Sequence, residues 1–105
     1  MNRPEVVSVA QARTLIATQS PTILDMRDHR SYRARHIVGA MLLHDGLEQA
    51  LLADEERDKA LLFYCYRGVK SREKAEFFAG MGFSRVYSLD NGFAAWPRDD
   101  DSTTG

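Results

Sequence analysis

Apolar and polar positions fall in short blocks along this chain, and the blocks switch between a period of two and a period near four. Val6 to Val9 reads as a brief first strand, with Ser8 placed to cap the helix that follows. From Ala10 to Thr18, Ala12, Leu15 and Ile16 recur at helical spacing while Gln11, Arg13 and Gln19 stay wet. Ser20-Pro21 stops that helix. Thr22 to Met26 is β-branched and apolar, the pattern of a strand buried on both faces, and Asp25 interrupts it near its end. Arg27 to Ala34 is dense in charge and predicts a short exposed helix entered at Asp28, with Tyr32 packing inward. Ile37 to Leu43 follows as a strand in which Gly39 points to close backbone packing. Leu47 to Ala53 is helical with Leu47, Ala50 and Leu51 on one face, and Asp54 to Lys59 is a solvated charged connection.

The second half repeats the alternation. Leu61-Leu62-Phe63-Tyr64 is too short for a helix and reads as a buried strand. Ser71 to Met81 reads as a helix with Ser71 as its N-cap, ended by Gly80 and Gly82 with Phe83 repacking the turn. Val86 to Leu89 is the last strand expected, Asp90-Asn91-Gly92 a turn, and Phe93 to Trp96 an aromatic, helix-like cap stopped by Pro97. Strands alternating with helices imply an α/β fold: a small parallel sheet with helices on both faces and right-handed crossovers. Residues 1–97 form one domain on this reading, and 98–105 a polar tail expected to be disordered.

Composition narrows the function more than the fold. A chain of 105 residues with 44% hydrophobic content has room for one core, and no apolar run approaches the length of a membrane span. The net charge of −1 argues against nucleic-acid binding through bulk charge, and without Arg98 and the aspartates at 99–101 the remainder is close to neutral. Any positive field must therefore be local. No apolar run of signal-peptide length follows the first residues, so a reducing cytoplasm is the expected location. The single cysteine excludes an internal disulfide, a cysteine-rich zinc site and an internal resolving thiol.

That cysteine stands at the most informative place in the chain. Cys65-Tyr66-Arg67-Gly68-Val69-Lys70-Ser71 connects the C-terminal end of a buried strand to a helix, the end of an open α/β sheet where ligands bind. Loop N–H groups can converge there, the helix dipole adds its positive end, and Arg67 and Lys70 add full charges. Gly68 lets the loop turn where a side chain would obstruct it. Each of these favours a thiolate, so Cys65 should ionise below the ~8.5 of a free thiol. The bland alternative is a small buried hydrophobe, which most lone cysteines are. The strand–loop–helix setting and two flanking cations favour a nucleophile.

Three stretches together resemble the single-domain rhodanese (thiosulfate sulfurtransferase) family, most closely its short bacterial type. They are Ile23 to Asp28 leading to His36-Ile37-Val38-Gly39-Ala40, the Cys65 loop, and Val86 to Trp96, and the similarity covers about residues 6–96. The resemblance implies a rhodanese-like fold in which the Cys65 thiolate takes sulfur from thiosulfate or another sulfane donor. The resulting persulfide is discharged to cyanide or a thiol, with no metal or organic cofactor. It also implies that Tyr66, Arg67, Gly68, Val69, Lys70 and Ser71 bind the donor, and that His36 supports the site by hydrogen bonding. Asp25 and Arg27 match an aspartate-x-arginine pair at a strand end, expected as an ion pair that props the loop in preference to touching substrate. Arg35 departs from the glycine usual before the histidine, and Asn91 from a second glycine before Gly92, a place asparagine tolerates.

His29, His36 and His44 have no metal-ligand spacing, and His29 and His44 are expected at the surface. Related phosphatases and arsenate reductases carry an arginine six residues after the cysteine; here position 71 is serine, and Arg72 falls one residue late. The loop is also a residue short for phosphate. A carrier role, passing persulfide sulfur between small sulfur-carrier proteins, shares the Cys65 chemistry and stays open.

Overall fold

Ser8 closes the first strand and opens the first helix. Its Oγ accepts the Gln11 N–H at 3.1 Å while the Gln11 side chain accepts the Ser8 N–H at 2.9 Å. This reciprocal pair starts α1 (Val9–Gln19) directly after β1 (Glu5–Val7), so Val9 belongs to the helix and not to the expected strand. The computed structural model describes residues 2–98 and 101–105. In chain order the remaining elements are β2 (Thr22–Asp25), α2 (His29–Ala34), β3 (His36–Ile37), β4 (Met41–Leu42), α3 (Asp45–Ala53), β5 (Ala60–Tyr64), α4 (Val69–Gly80), β6 (Arg85–Leu89) and β7 (Thr103–Thr104), with a 3-10 turn over Phe93–Ala95.

Five strands form a parallel sheet in the order β1-β6-β5-β2-β4. The centre goes to β5 because every one of its residues is apolar enough to be buried. Its side chains alternate between two cores. Leu62 and Tyr64 pack with Ala12 and Leu15 of α1 and with Phe93 and Trp96; Leu61 and Phe63 pack with Leu51 of α3 and with Ala75, Phe78 and Ala79 of α4. Helices thus cover both faces, as the alternation of strands and helices predicts.

The differences from expectation have local causes. The strand expected over Ile37 to Leu43 is broken into β3 and β4, because Gly39 takes φ 87° in a tight turn closed by the Ala40 N–H on the Ile37 carbonyl at 2.9 Å. Gly39 faces open space, so it serves the turn and not close packing. On α3 it is Leu52, not Ala50, that joins Leu47 and Leu51 against the core. The connection 54–59 is less wet than its charges suggest: Lys59 Nζ lies 2.6 Å from Asp54, and the Arg57 guanidinium sits 4.5 Å over the Phe83 ring.

The tail differs most. β7 pairs antiparallel with β3, Thr103 opposite Ile37 and Thr104 opposite His36, and the Val38 N–H reaches the Ser102 carbonyl at 2.8 Å. Arg35 Nε donates to Thr103 Oγ1 at 3.2 Å, and the Arg35 guanidinium also meets the Pro97 carbonyl. The expectation of disorder over 98–105 therefore fails for residues 101–105. Backbone pairing with the open edge of β3 orders a segment that has no apolar side chain to bury. The part of that expectation on Asp99 and Asp100 lies outside the described residues.

Candidate active site

β5 delivers Cys65 at its C-terminal end, and the chain then turns sharply into α4. Gly68 makes the turn with φ 91°, and a Cβ there would come within 3.0 Å of the Asn91 nitrogen and 3.2 Å of the Leu89 carbonyl. Both the conformation and the close approach require glycine. Gly68, not Ser71, is the N-cap, so α4 is capped three residues earlier than expected and Ser71 is carried into its first turn, where it is buried. The turn over 89–92 closes the loop from the other side. The Phe93 N–H donates to the Cys65 carbonyl at 2.8 Å and the Ala94 N–H to the Tyr66 carbonyl at 3.0 Å. Asn91 takes φ 58°, the left-handed conformation anticipated for it.

Cys65 is 7% exposed and its sulfur is ringed by donors. The Gly68 N–H reaches Sγ at 3.1 Å and the Ser71 N–H at 3.4 Å, with the Ser71 hydroxyl 3.3 Å away. Burial opposes ionisation of this thiol. The Ser71 hydroxyl and the N–H groups of Ser71, Gly68 and Arg67 outweigh it and hold Cys65 below the usual thiol value. The leading contributions are neutral hydrogen-bond donors, whereas charge on Arg67 and Lys70 had been expected to share the task. Both cations are exposed, and Arg67 lies 5.4 Å over the Tyr66 ring.

An open cavity of about 750 Å³ leads to the sulfur, lined by Cys65, Tyr66, Arg67, Val69 and Lys70 on one side and by Met26, Arg27, Asp28 and Ser31 on the other. The structure thus brings Tyr66, Arg67, Val69 and Lys70 to the mouth of the site, and places Gly68 and Ser71 against the sulfur. Met26, Asp28 and Ser31 were not singled out as site residues; Asp28 had been read as the entry to α2, and there its carboxylate caps Ser31.

Asp25 is fully buried at the end of β2 and forms a fork with Arg27, 2.7 Å from Nη2 and 3.1 Å from Nε. Arg27 also donates to the Arg35 carbonyl at 2.6 Å and spreads its guanidinium 4.2 Å over the Phe93 ring. Burial alone would lower the Arg27 pKa, but the Asp25 carboxylate raises it overall. Burial, aided by Asp25, likewise pushes the Tyr64 phenol well above its usual value, so its oxygen stays neutral and accepts the Ile37 N–H at 3.3 Å. The pair reaches the loop through Phe93, and the Arg27 side chain also lines the cavity.

His36 is turned toward α2. Its Nδ1 lies 2.6 Å from the Tyr32 carbonyl and its ring stacks on Tyr32 with centroids 3.8 Å apart. The Tyr32 hydroxyl in turn donates to the Ala40 carbonyl at 2.6 Å. His36 therefore braces the β3 turn and is not among the residues lining the cavity. His29 begins α2 at the surface, and His44, also exposed, does more than expected by capping α3 through Nδ1 and the Leu47 N–H at 3.3 Å. Among the described residues no three metal-ligating side chains cluster, and no helix is long and apolar enough to cross a membrane.

A residue behind the loop also lies outside the sequence reading of the site. Ser88 is 1% exposed on β6, and its hydroxyl lies 3.0 Å from that of Ser71. A small hydroxyl at a buried position between Val86 and Leu89 was the available signal.

The family model for the rhodanese-like domain matches residues 8–99. This chain belongs to the rhodanese-like domain family. Over 90 residues it is 36% identical to the thiosulfate sulfurtransferase GlpE of Pseudoalteromonas translucida, which covers 86% of this chain and 86% of that protein. The GlpE of Shewanella oneidensis is also 36% identical over 90 residues, 86% of this chain and 89% of that one. Among solved structures, the rhodanese-like domain of an Anabaena protein superposes with a TM-score of 0.77 at 25% identity, covering 95% of this chain and 78% of that one. The rhodanese-like fold expected from the sequence is therefore the fold of this chain.

Proposed function

We propose that this rhodanese-like domain is a thiosulfate sulfurtransferase working through a persulfide on Cys65. The Cys65 thiolate attacks the outer sulfur of thiosulfate, the S–S bond of the donor breaks, and its electron pair leaves with sulfite. Cys65 is left as a persulfide. A nucleophile, cyanide or a thiolate, then attacks the outer sulfur, takes it as thiocyanate or a new persulfide, and returns the electron pair to Cys65. The observation that carries this reading is the donor-ringed sulfur opening onto a cavity whose mouth holds Arg67 and Lys70. The donors stabilise an anion on sulfur, and the two cations favour entry of a dianionic donor.

The phosphatase reading is weakened by Arg72, which lies beside Asp90 at 4.0 Å and lines a different groove with Arg3 and Glu76. The cysteine loop has Ser71 where that chemistry needs a cation. With no internal resolving thiol, discharge requires an outside acceptor, a small thiol or a sulfur-carrier protein, and a cytoplasmic setting would supply either. Cys65→Ser should abolish thiosulfate:cyanide sulfur transfer while leaving the fold intact. Mass spectrometry after thiosulfate treatment should find one added sulfur on the wild type and none on the variant. Added sulfur retained by the variant would overturn the assignment. Labelled thiosulfate followed by candidate carriers distinguishes enzyme from relay: transfer to a carrier much faster than to cyanide selects the relay.

A further inference from the structure

Val86 of β6 packs with Ala75, Phe78 and Ala79 of α4, and beside this apolar contact two hydroxyls meet. Ser71 and Ser88 meet there, 0% and 1% exposed, with Oγ atoms 3.0 Å apart, and Ser71 Oγ is 3.3 Å from Cys65 Sγ. Burying a hydroxyl without a partner is costly, and two alanines would fill this position with no such cost. The pair satisfies itself, but its geometry does more: it is a three-atom chain ending on sulfur.

A hydroxyl has one proton to give and two lone pairs to receive. When Cys65 is a thiol, its S–H points to Ser71 Oγ and the Ser71 proton points to Ser88. When Cys65 is a thiolate, the Ser71 proton turns to sulfur, and Ser88 donates to the lone pair this leaves on Ser71. Without Ser88, the Ser71 hydroxyl keeps Cys65 as its side-chain partner, but no donor stands behind it in the thiolate state. We propose that Ser88 is a positioning residue for the sulfur nucleophile, aiming the Ser71 hydroxyl at Cys65 Sγ from behind the loop. Under the sulfur-transfer reading the pair turns over twice in each cycle. It points at sulfur while Sγ carries the charge, and back to Ser88 while the charge sits on the outer sulfur of the persulfide.

Charged groups also face Cys65 and must be held constant. Arg27 and Asp28 approach from the β2–α2 connection, Arg67 from the loop and Lys70 from the first turn of α4, all around one cavity. Just past the end of β6, Asp90 lies 4.0 Å from the Arg72 guanidinium of α4, both side chains exposed. None is altered in the variants below.

The test is the pH dependence of Cys65 alkylation by iodoacetamide in wild type, Ser88→Ala, Ser71→Ala and the double variant. Ser71→Ala should move the midpoint up by about one unit, a tenfold loss of thiolate below it. Ser88→Ala should move it the same way by about half as much. The double variant should match Ser71→Ala alone, because Ser88 acts through Ser71. Ser88→Thr, which keeps the hydroxyl, should stay near the wild-type midpoint, and it decides the matter if Ser88→Ala fails to fold. A wild-type midpoint in Ser88→Ala, additive shifts in the double variant, or an upward shift in Ser88→Thr overturns the proposal. Alkylation needs no sulfur donor. Normal midpoint shifts with no sulfur transfer would therefore sink the transfer reading and leave Ser88 its role.

Discussion

Two buried polar clusters lie at the same end of the sheet and solve opposite problems. On β2, Asp25 and Arg27 bring full charges into the interior and cancel them in a fork, with side chains 0% and 8% exposed. On β5, α4 and β6, Cys65, Ser71 and Ser88 bring neutral groups inside and arrange them around an atom that must become charged. A cancelled pair is rigid, because moving either charge exposes the other. A ring of neutral donors stays adjustable, since each hydroxyl can turn. The first cluster holds the loop in place and the second sets its chemistry.

Removing one partner of the charged cluster should have the largest effect. Asp25→Ala leaves the Arg27 guanidinium uncompensated beside Phe93 and should cost about 3–5 kcal/mol of stability, read by urea unfolding. The double replacement Asp25→Leu with Arg27→Met should recover much of that loss. If Asp25→Ala unfolds at the wild-type urea concentration, the charged cluster is not structural.

Gly92→Ala attacks the backbone on which the neutral cluster depends. At φ 64° its Cβ would overlap the Tyr66 carbonyl and come within 2.6 Å of the Cys65 carbonyl oxygen. Strain and crowding together should cost roughly 2–4 kcal/mol. They should also raise the Cys65 alkylation midpoint, which Asp25→Ala should change far less among the molecules still folded. Equal midpoint shifts in the two variants would erase the distinction between the clusters.

The smallest effect belongs to the exposed cations. Arg67→Gln and Lys70→Gln should each slow sulfur loading from thiosulfate by about two- to fivefold, within the ~0.2–1 kcal/mol of exposed charge interactions. The deficit should shrink as salt is raised. The alkylation midpoint should stay near wild type, because neutral donors dominate the ionisation of Cys65. A large midpoint shift in either variant would return the cations to the thiolate's support.

The sequence made the charged cluster legible and half of the neutral one. Asp25 and Arg27 stood out because ionic side chains at the end of an apolar strand need partners. Cys65 stood out because a strand, a glycine and a helix surround it. Ser71 was placed one turn wrong because serine is a good N-cap, and its competitor Gly68 wins through contact with the 89–92 turn, which local pattern does not contain. Ser88 was missed for a related reason: its partner lies 17 residues away, and only docking of α4 on β6 joins them. The tail was misread because β7 is ordered by backbone bonds and by Arg35, neither of which hydrophobic periodicity records.

The position of β6 has a consequence for the newborn protein. β6 is inserted between β1 and β5, so Glu5 must wait for Tyr87 before it has a strand to pair with. Synthesis runs from the N-terminus at roughly 5–20 residues per second. An unfinished chain that already carries Cys65 lacks Ser88, the 89–92 turn and the Phe93 N–H that closes the loop. Its thiol therefore ionises like that of a free cysteine, and at neutral pH it stays mostly protonated and slow to react. The nucleophile comes into being with the completed sheet, so maturation and activation of this domain are one event.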